Sequence, residues 1–337
     1  MSGQKENDDA RGRLKAHGEY ASAYHAPVLC NAVVKGLVTN RDGLYVDGTL
    51  GGGGHAAALL DALSERGRVI GIDRDGDALV EAATRLSREA ERGRFVVVKG
   101  DFRDAGNLLA DQGIDLIDGL LLDLGVSSHQ LDVAHRGFSH RLSGPLDMRM
   151  DVAEMGDAAE LLNDVDEHEL IRILRRFGEE PRARRIAGVL LAARPLGTTK
   201  ELADAVRSAV PAHEVAKSLS RVFQAVRIVV NDELGALEDA LNASLDFVHV
   251  GGRIAVISYH SLEDRRVKRF FRAGNFEGRV HRDVFGNSLS PLAEVRPTPV
   301  SPGSDETETN PRARSARLRI AERLPTADAA RGHSPQS

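Results

Sequence analysis

The chain has 337 residues, 42% hydrophobic and 28% charged, a composition typical of a globular protein rather than a disordered or membrane one. A prior of about 150 residues per domain predicts two domains. The net charge of −5 argues against a broad nucleic-acid-coating surface. The first twenty residues lack a signal-peptide core, and no later run is long enough to cross a bilayer. Together with a single cysteine, Cys30, which we expect to be buried, this predicts a cytoplasmic protein without internal disulfides.

The segment from Leu44 to Asp123 alternates short apolar runs with helical patterns, as consecutive βα units of a parallel sheet do. The predicted strands are Leu44 to Asp47, Val69 to Asp73, Phe95 to Val98 and Leu120 to Asp123. The predicted crossover helices are His55 to Glu65 and Asp77 to Ala90. The chain then returns to the sheet with a helix at Asn231 to Leu245, a strand at Arg253 to Ser258 and a last strand around Leu318.

Between these two blocks, strand patterns vanish and helix start signals appear. The signals are the capping-box pairs Asp157/Glu160 and Thr198/Glu201, the candidate N-cap Asp166 and a first-turn proline, Pro181. The sequence therefore predicts an α/β sheet domain at 23–130 and 222–323 with an inserted helical domain at 131–221. Residues 275–312 are expected to form a long loop, and 1–22 and 324–337 disordered tails.

Arginine is concentrated between positions 172 and 194, where Glu179 and Glu180 are the only acids. The arginines are Arg172, Arg175, Arg176, Arg182, Arg184, Arg185 and Arg194. The first three have helical i, i+3, i+4 spacing, which fits a solvated helix face or a phosphate-contacting patch.

The first strand ends in Asp47 and runs into a glycine-rich turn, GTLGGGGHA, that opens a helix. Such a turn lets a ligand approach the backbone and aims helix N-terminal amides at it. Asp73 ends the second strand about twenty residues after the glycines, where nucleotide-binding sheets place a carboxylate for the ribose hydroxyls. The spacing of Gly51, Gly53 and Ala56 also matches the dinucleotide pattern, so an NAD-dependent oxidoreductase is one alternative.

A carboxylate at the end of the second strand suits NAD and S-adenosylmethionine alike, but the two cofactors differ in charge. S-adenosylmethionine carries a sulfonium and an ammonium group and no phosphate, so its site favours carboxylates. Residues 42–65 contain no Lys or Arg, and Asp47, Asp73, Asp101 and Asp123 lie at or just beyond successive strand ends. Each of these aspartates could instead be a helix N-cap or turn residue, and Asp101 fits either role.

A series of sequence blocks spans nearly the whole chain between the tails. They are HAPVL at 25–29, VDGTLGGGGH at 46–55, GIDRD at 71–75, LLDLGVSSHQLD at 121–132, GPLDMRMD at 144–151, RVFQAVRIVVNDEL at 221–234, SYHSLEDRRVKRF at 258–270 and NPRARSARLRIAER at 310–323. In this order they resemble the bacterial RsmH or MraW family of small-subunit ribosomal RNA cytosine-N4-methyltransferases.

The resemblance implies a Rossmann-like class I methyltransferase sheet domain with an inserted all-helical domain that recognises the substrate. It implies S-adenosylmethionine as the cofactor and methylation of the exocyclic N4 amine of a cytidine in the decoding centre of 16S ribosomal RNA. The expected partner is that RNA within the small ribosomal subunit, with no membrane and no metal ion. A homodimer is left open. A catalytically silent RNA-binding assembly factor with the same fold is the second alternative.

By the same resemblance, Gly53, Gly54 and His55 would hold the methionine end of the cofactor. Asp73 would bind the ribose, and Phe102 would pack against the adenine. Judged without the family, Phe102 could be a core aromatic and His55 a polar residue at a helix start.

Asp123 and Gln130 would close the cofactor site, and Asp123 is also the candidate catalytic residue that orients the amine. Tyr259 or Phe138 would stack on a flipped base. The sequence departs from the family pattern in two places. Its loop reads Leu50-Gly51-Gly52-Gly53-Gly54-His55 where the family has Phe-Gly-Arg-Gly-Gly-His, and His129 replaces the proline of Ser-Ser-Pro-Gln. His129 is therefore either an added functional group or a tolerated surface substitution.

Overall fold

The computed structural model describes residues 27–325, which fall into two compact units. The first comprises the described residues up to Gly125 and from Glu238 onward, and the second runs from Val126 to Leu237. The predicted N-terminal tail and residues 326–337 of the predicted C-terminal tail lie outside the described residues. No helix within 27–325 is long and apolar enough to span a membrane.

The first unit is built on a seven-stranded sheet with the order β3-β2-β1-β4-β5-β7-β6. The strands are β1 Leu44–Asp47, β2 Arg68–Asp73, β3 Phe95–Lys99, β4 Ile117–Asp123, β5 Val248–Ser258, β6 Leu292–Glu294 and β7 Arg317–Arg323. Strands β1 to β5 are parallel, while β7 pairs antiparallel with both β5 and β6. This is the predicted Rossmann-like α/β sheet.

Consecutive residues of the central strands β2 and β4 are buried, so both faces of the sheet are covered, as they are by helices in parallel sheets. The helices of this unit are α1 Cys30–Leu37, α2 Gly54–Ala62, α3 Gly76–Arg85, α4 Ser87–Glu91 and α5 Ala105–Ala110, followed late in the chain by α13 Ser261–Ala273 and α14 Ser304–Thr309. Val33 and Leu37 of α1 pack in one apolar cluster with Leu59 of α2 and Leu121 of β4. Cys30 is buried, as predicted.

Two predictions for this unit were wrong. The helix expected from Asp77 to Ala90 is broken at Leu86 into α3 and α4. The segment 275–312, expected to be a loop, contains β6, α14 and a short 3₁₀ turn at Pro311–Ser315. Both β6 and α14 are too short to give a periodic signal, and pairing across the sheet stabilises β6.

The second unit is helical. Its elements are α6 Ser128–Asp132, α7 Ala158–Asp164, α8 Glu167–Arg176, α9 Ala183–Ala192, α10 Thr199–Ala209 and α11 Val215–Val230, and α12 Glu233–Phe247 continues across the unit boundary. Thr198 and Glu201 form the predicted capping box, and Asp166 caps α8 as predicted. Pro181 is not in the first turn, because α9 begins two residues later at Ala183.

The sequence pattern predicts the inserted domain at 131–221, whereas the compact unit runs from Val126 to Leu237. The C-terminal difference arises at α11, whose Leu219, Val222 and Val226 all belong to the helical core. The RVFQAVRIVVNDEL block therefore lies largely within the helical unit.

Candidate cofactor and catalytic site

The glycine-rich turn follows β1 at the carboxyl edge of the sheet and leads into α2. Gly51 and Gly53 have φ values of +49° and +74°, which side chains with a Cβ rarely adopt. A Cβ on Gly54 would come within 3.1 Å of the Pro27 ring. The turn therefore needs glycine both for its backbone conformation and for the close approach of the preceding segment.

Asp73 at the end of β2 is fixed to this turn by the backbone. Its Oδ2 accepts a hydrogen bond of 2.8 Å from the Gly51 N–H, and its Oδ1 accepts one of 2.9 Å from the Asp75 N–H. Burial raises the pKa of Asp73 to about 6. The carboxylate is thus oriented beside the glycines, as expected for a group that binds a ligand at this turn.

Asp47 at the end of β1 is 1% exposed, and its Oδ2 has no hydrogen-bond partner among the described residues. Burial raises the pKa of Asp47 to about 6, although the His55 charge lowers it. Its Oδ1 accepts a hydrogen bond of 3.2 Å from the Thr49 N–H. A buried carboxylate with an unused oxygen favours a cation nearby.

Asp123 at the end of β4 is contacted from two sides. The Tyr259 hydroxyl donates a hydrogen bond of 2.9 Å to its Oδ1, and His55 Nε2 lies 3.4 Å from its Oδ2. Burial lowers the pKa of His55, but Asp123 and Cys30 outweigh this and hold it well above its ordinary value. Burial and the Asp123 charge raise the pKa of Tyr259 well above its usual range. The carboxylate is therefore held in a fixed orientation.

A short segment before α1 lies over the glycine turn. Pro27 contacts the turn at Gly54. Two residues later, Leu29 has a φ of +54°, a left-handed backbone conformation that is uncommon for residues other than glycine. The Leu29 N–H donates a buried hydrogen bond of 2.6 Å to Glu306 Oε1 on α14. Residues 27–29, which we call the strap, are thus fixed by a carboxylate 277 positions away.

Phe102 begins a 3₁₀ turn directly after β3 and is partly buried. A Cβ on Gly48 would lie 3.2 Å from Phe102 Cβ, so this backbone closely approaches the glycine turn. Asp101 before it is an N-cap, because its side chain accepts a hydrogen bond of 2.9 Å from the Arg103 N–H. It also pairs with Arg74 at 3.2 Å. Of the strand-end aspartates, Asp101 therefore has a structural role in the fold.

Gln130, His129 and Phe138 belong to the helical unit. Gln130 is 6% exposed, and its Oε1 accepts a hydrogen bond of 3.0 Å from the Ser127 N–H in a capping box at α6. His129 is partly exposed on the same helix. Phe138 is 5% exposed in the helical core, which does not suit stacking on a base.

The arginine-rich segment divides into separate groups. His168, Ile171, Arg172, Arg175, Arg176 and Arg184 line an open cleft of about 420 Å³ between α8 and α9. Arg182 instead pairs with Glu214 at 2.5 Å, and Arg194 donates to the carbonyls of Leu162 and Val165. Within the cleft Arg172 pairs with Glu169, whereas Arg175, Arg176 and Arg184 make no ion pair with described residues. The cleft concentrates cationic groups on one face of the helical unit.

A family model described as the MraW methylase family matches residues 22–324. Ribosomal RNA small subunit methyltransferase H of Heliobacterium modesticaldum is 47% identical over 313 residues, which cover 89% of this chain and 99% of that protein. The protein of that name from Chlorobium luteolum is 48% identical over 322 residues, covering 89% and 97%. The one from Geobacter sulfurreducens is 47% identical over 310 residues, covering 89% and 99%. The chain belongs to the MraW methylase family.

Membership in the MraW methylase family confirms the resemblance on which the sequence analysis relied and identifies S-adenosylmethionine as the cofactor. The alternative of an NAD-dependent oxidoreductase rested on the glycine spacing and Asp73 alone, and the family match leaves it without support.

Two residues at this site were not singled out from the sequence of this MraW methylase. Thr49, inside the glycine block, accepts a hydrogen bond of 2.6 Å from the Asp123 N–H, and its position between Gly48 and Leu50 was a usable signal. Glu306 lies in an acidic run that predicted an exposed loop, yet it is 7% exposed. Nothing in its local sequence distinguishes it from its acidic neighbours.

Proposed function

We propose that the chain transfers a methyl group from S-adenosylmethionine to the exocyclic N4 amine of a cytidine in the decoding centre of 16S ribosomal RNA, within the small subunit. The names of its relatives support the small-subunit RNA as substrate. The observation that carries the chemistry is the Asp123 carboxylate at the carboxyl edge of the sheet, oriented by Tyr259 and His55 beside the glycine turn.

For the cofactor, we propose that Gly53, Gly54 and His55 hold the methionine end, that Asp73 accepts the ribose hydroxyls, and that Phe102 packs against the adenine. The fixed orientation of Asp73 and the approach of Phe102 to the glycine turn support these assignments. Buried carboxylates predominate here, and Asp47 has an oxygen without a partner among the described residues. This negative environment suits a cofactor that carries a sulfonium and an ammonium group. When bound, the cofactor supplies the methyl group on its sulfonium.

We propose that Asp123 accepts a hydrogen bond from the cytosine amine. The amine lone pair is delocalised into the ring, and an acceptor on its N–H would increase the electron density on nitrogen and align it for in-line attack. Formation of the N–C bond would break the methyl C–S bond of the sulfonium, whose electron pair stays on the departing thioether sulfur. The amine would lose one proton, which Asp123 would hold before it passes to water. Gln130 is kept in the proposed site on the family resemblance, and His129 is assigned no role.

The helical unit is proposed to dock the RNA through the cleft lined by Arg175, Arg176 and Arg184, whose charges suit phosphate groups. Changing Arg175 and Arg176 to Glu should weaken use of the RNA substrate and leave cofactor binding unchanged. Arg207 on α10, which pairs with Asp204, provides a charge-reversal control in the same unit.

The decisive experiment transfers label from S-adenosylmethionine to purified small subunits that lack the modification, followed by nuclease digestion and mass analysis. Label in N4-methylcytidine supports the reaction, the cofactor and the target atom together. Cofactor binding without any transfer to these particles would instead support the silent assembly factor, and label in another nucleoside would contradict the proposed N4 target.

A further inference from the structure

A hairpin after α13 exposes apolar side chains to solvent, most strongly at its tip. Val284 is 93% exposed and Phe285 is 86% exposed at its tip. An aromatic side chain this exposed is not stabilised by packing in the fold. Exposed apolar patches commonly mark a contact site. The hairpin, which we define as residues 281–289, contains none of the residues proposed for the cofactor and catalytic site.

The tip is an organised turn. The Asp283 carboxylate accepts hydrogen bonds of 2.9 Å from the N–H groups of both Phe285 and Asn287. Arg282 forms an antiparallel bridge with Ser288 and donates a hydrogen bond of 2.6 Å to the Gly286 carbonyl. The backbone at Phe285 is therefore held in one conformation, so less backbone entropy is lost when the tip binds a partner.

The hairpin is surrounded by positive charge. Residues 265–285 contain seven Lys and Arg side chains and only two acids, Glu277 and Asp283, in a chain whose net charge is −5. The exposed cations without an ion pair among described residues are Lys268, Arg269, Arg272, Arg279 and Arg282. Arg269 and Arg272 donate instead to the carbonyls of Phe276 and Gly278, which directs them toward the base of the hairpin.

We propose that the hairpin and the adjoining basic face of α13 form an RNA contact in which Phe285 stacks on an unpaired base and Lys268 and Arg279 contact phosphates. This proposal rests on the proposed RNA substrate. An exposed aromatic among cations is typical of proteins that bind unpaired nucleic acid, since bases stack on the ring and phosphates pair with the cations. A membrane surface is less well matched, because the apolar patch is a two-residue tip rather than an amphipathic helix face.

The position of the hairpin predicts which kinetic constant it affects. Helix α13 begins at Ser261, two residues after Tyr259. Its 13 residues have a length of roughly 20 Å at 1.5 Å per residue. The hairpin follows the C-terminal end of this helix, whereas the proposed catalytic carboxylate of Asp123 lies near its N-terminal end. It therefore contacts RNA away from the target base and contributes to substrate binding rather than to the methyl-transfer step.

The test compares Phe285→Ala and the double variant Lys268→Glu/Arg279→Glu with matched controls, Val80→Ala and Arg88→Glu, which change exposed side chains of the same unit outside the hairpin. Binding of each full-length protein to unmodified small subunits is measured by filter retention at several salt concentrations. Phe285→Ala should weaken binding by about 5- to 100-fold. The double variant should reduce the slope of log K against log salt by roughly 1.5. Both should raise the KM for the particle and leave kcat and cofactor affinity unchanged.

Equal binding by Phe285→Ala and the wild type would overturn the proposal. The proposal would also be overturned if Phe285→Ala lost binding to vesicles containing phosphatidylserine while its binding to the particle was unchanged. That result would identify the tip as a membrane contact. Wild-type protein that binds the particle but produces no N4-methylcytidine would contradict the proposed function alone, because the binding comparison does not depend on turnover.

Discussion

The Tyr259 hydroxyl and the Asp123 carboxylate meet at 2.9 Å, linking the ends of two neighbouring parallel strands, β5 and β4. Asp123 Oδ2, the other oxygen, lies 3.4 Å from His55 Nε2 on α2. A carboxylate with both oxygens contacted keeps one orientation, and such preorganisation is what the proposed methyl transfer to a weakly nucleophilic amine requires. We therefore propose that Tyr259 positions Asp123, whereas the sequence suggested a stacking role.

Replacing Tyr259 with Phe removes the hydroxyl and keeps the ring. We expect kcat to fall by about 10- to 100-fold, because a hydrogen bond to a charged group is worth about 1.5–3 kcal/mol, while the Kd for S-adenosylmethionine changes less than threefold. Single-turnover methylation and calorimetric cofactor binding measure the two effects. A base-stacking role predicts the opposite, since Tyr259→Phe would then retain full activity.

Asp123→Asn preserves the shape of the side chain but removes its charge. We expect turnover at saturating cofactor to fall by at least 100-fold, because a neutral amide is a weaker acceptor for the cytosine N–H. Asp118→Asn is a control on the same strand, since Asp118 binds Asn40 and the Leu44 N–H away from this edge. Full turnover by Asp123→Asn would show that the acceptor is another group.

The strap predicts a different pair of effects. Glu306→Ala leaves the buried Leu29 N–H without its acceptor and should destabilise the protein by about 1–3 kcal/mol. It should also weaken cofactor binding, because Pro27 then loses its fixed position on Gly54. Glu306→Gln retains an acceptor oxygen and should restore most of both properties. Urea unfolding and cofactor titration test this, and a Gln variant as impaired as the Ala variant would show that the negative charge matters instead.

The raised pKa values of Asp47 and Asp73 predict that cofactor binding depends on pH. Burial raises both to about 6 from an ordinary value of 3.8, so the folded, ligand-free protein binds these protons more tightly than the unfolded chain. Their contribution to stability is therefore greatest at low pH and is lost as the pH rises from about 4 to 6. A cationic ligand favours the ionised forms, so its affinity should fall below pH 6, by roughly tenfold per carboxylate between pH 7 and 5.

Calorimetry with S-adenosylmethionine and S-adenosylhomocysteine would check this dependence. The product lacks the sulfonium charge, so its affinity should decline less steeply with acidification. Parallel pH profiles for the two compounds would contradict a role for the buried carboxylates in recognising the sulfonium.

The sheet could be predicted from the sequence because β1, β2 and β4 are buried apolar runs, each ending in aspartate before a turn. The glycine turn and Asp73 were predictable for the same reason, since their spacing follows from the βα unit. Contacts that depend on tertiary packing were not. The hydrogen bond from Leu29 to Glu306 joins residues 277 positions apart. The Asp123 carboxylate is contacted by His55 and Tyr259, which lie in two other distant segments.

Asn231 explains the GPLDMRMD block, for which the sequence suggested no role. Within the helical unit its Oδ1 accepts a hydrogen bond of 2.8 Å from the Met150 N–H, and its Nδ2 donates to the carbonyls of Met148 and Arg227 at 2.8 and 2.9 Å. Met148 has a φ of +62°, a conformation that this buried amide helps to hold. Asn231→Ala should therefore destabilise the helical unit by about 2–4 kcal/mol, because it leaves buried backbone groups unpaired.

Hydrogen exchange would locate that effect, with faster exchange at 144–151. Asn163→Ala is a matched control, since Asn163 makes an analogous pair of hydrogen bonds to Leu196 at a less buried position and should cost less. Asn231→Asp separates the two functions of the amide, because a carboxylate still accepts from Met150 but cannot donate to Met148. Unchanged exchange in 144–151 for Asn231→Ala would mean that the loop keeps its conformation through its own backbone contacts.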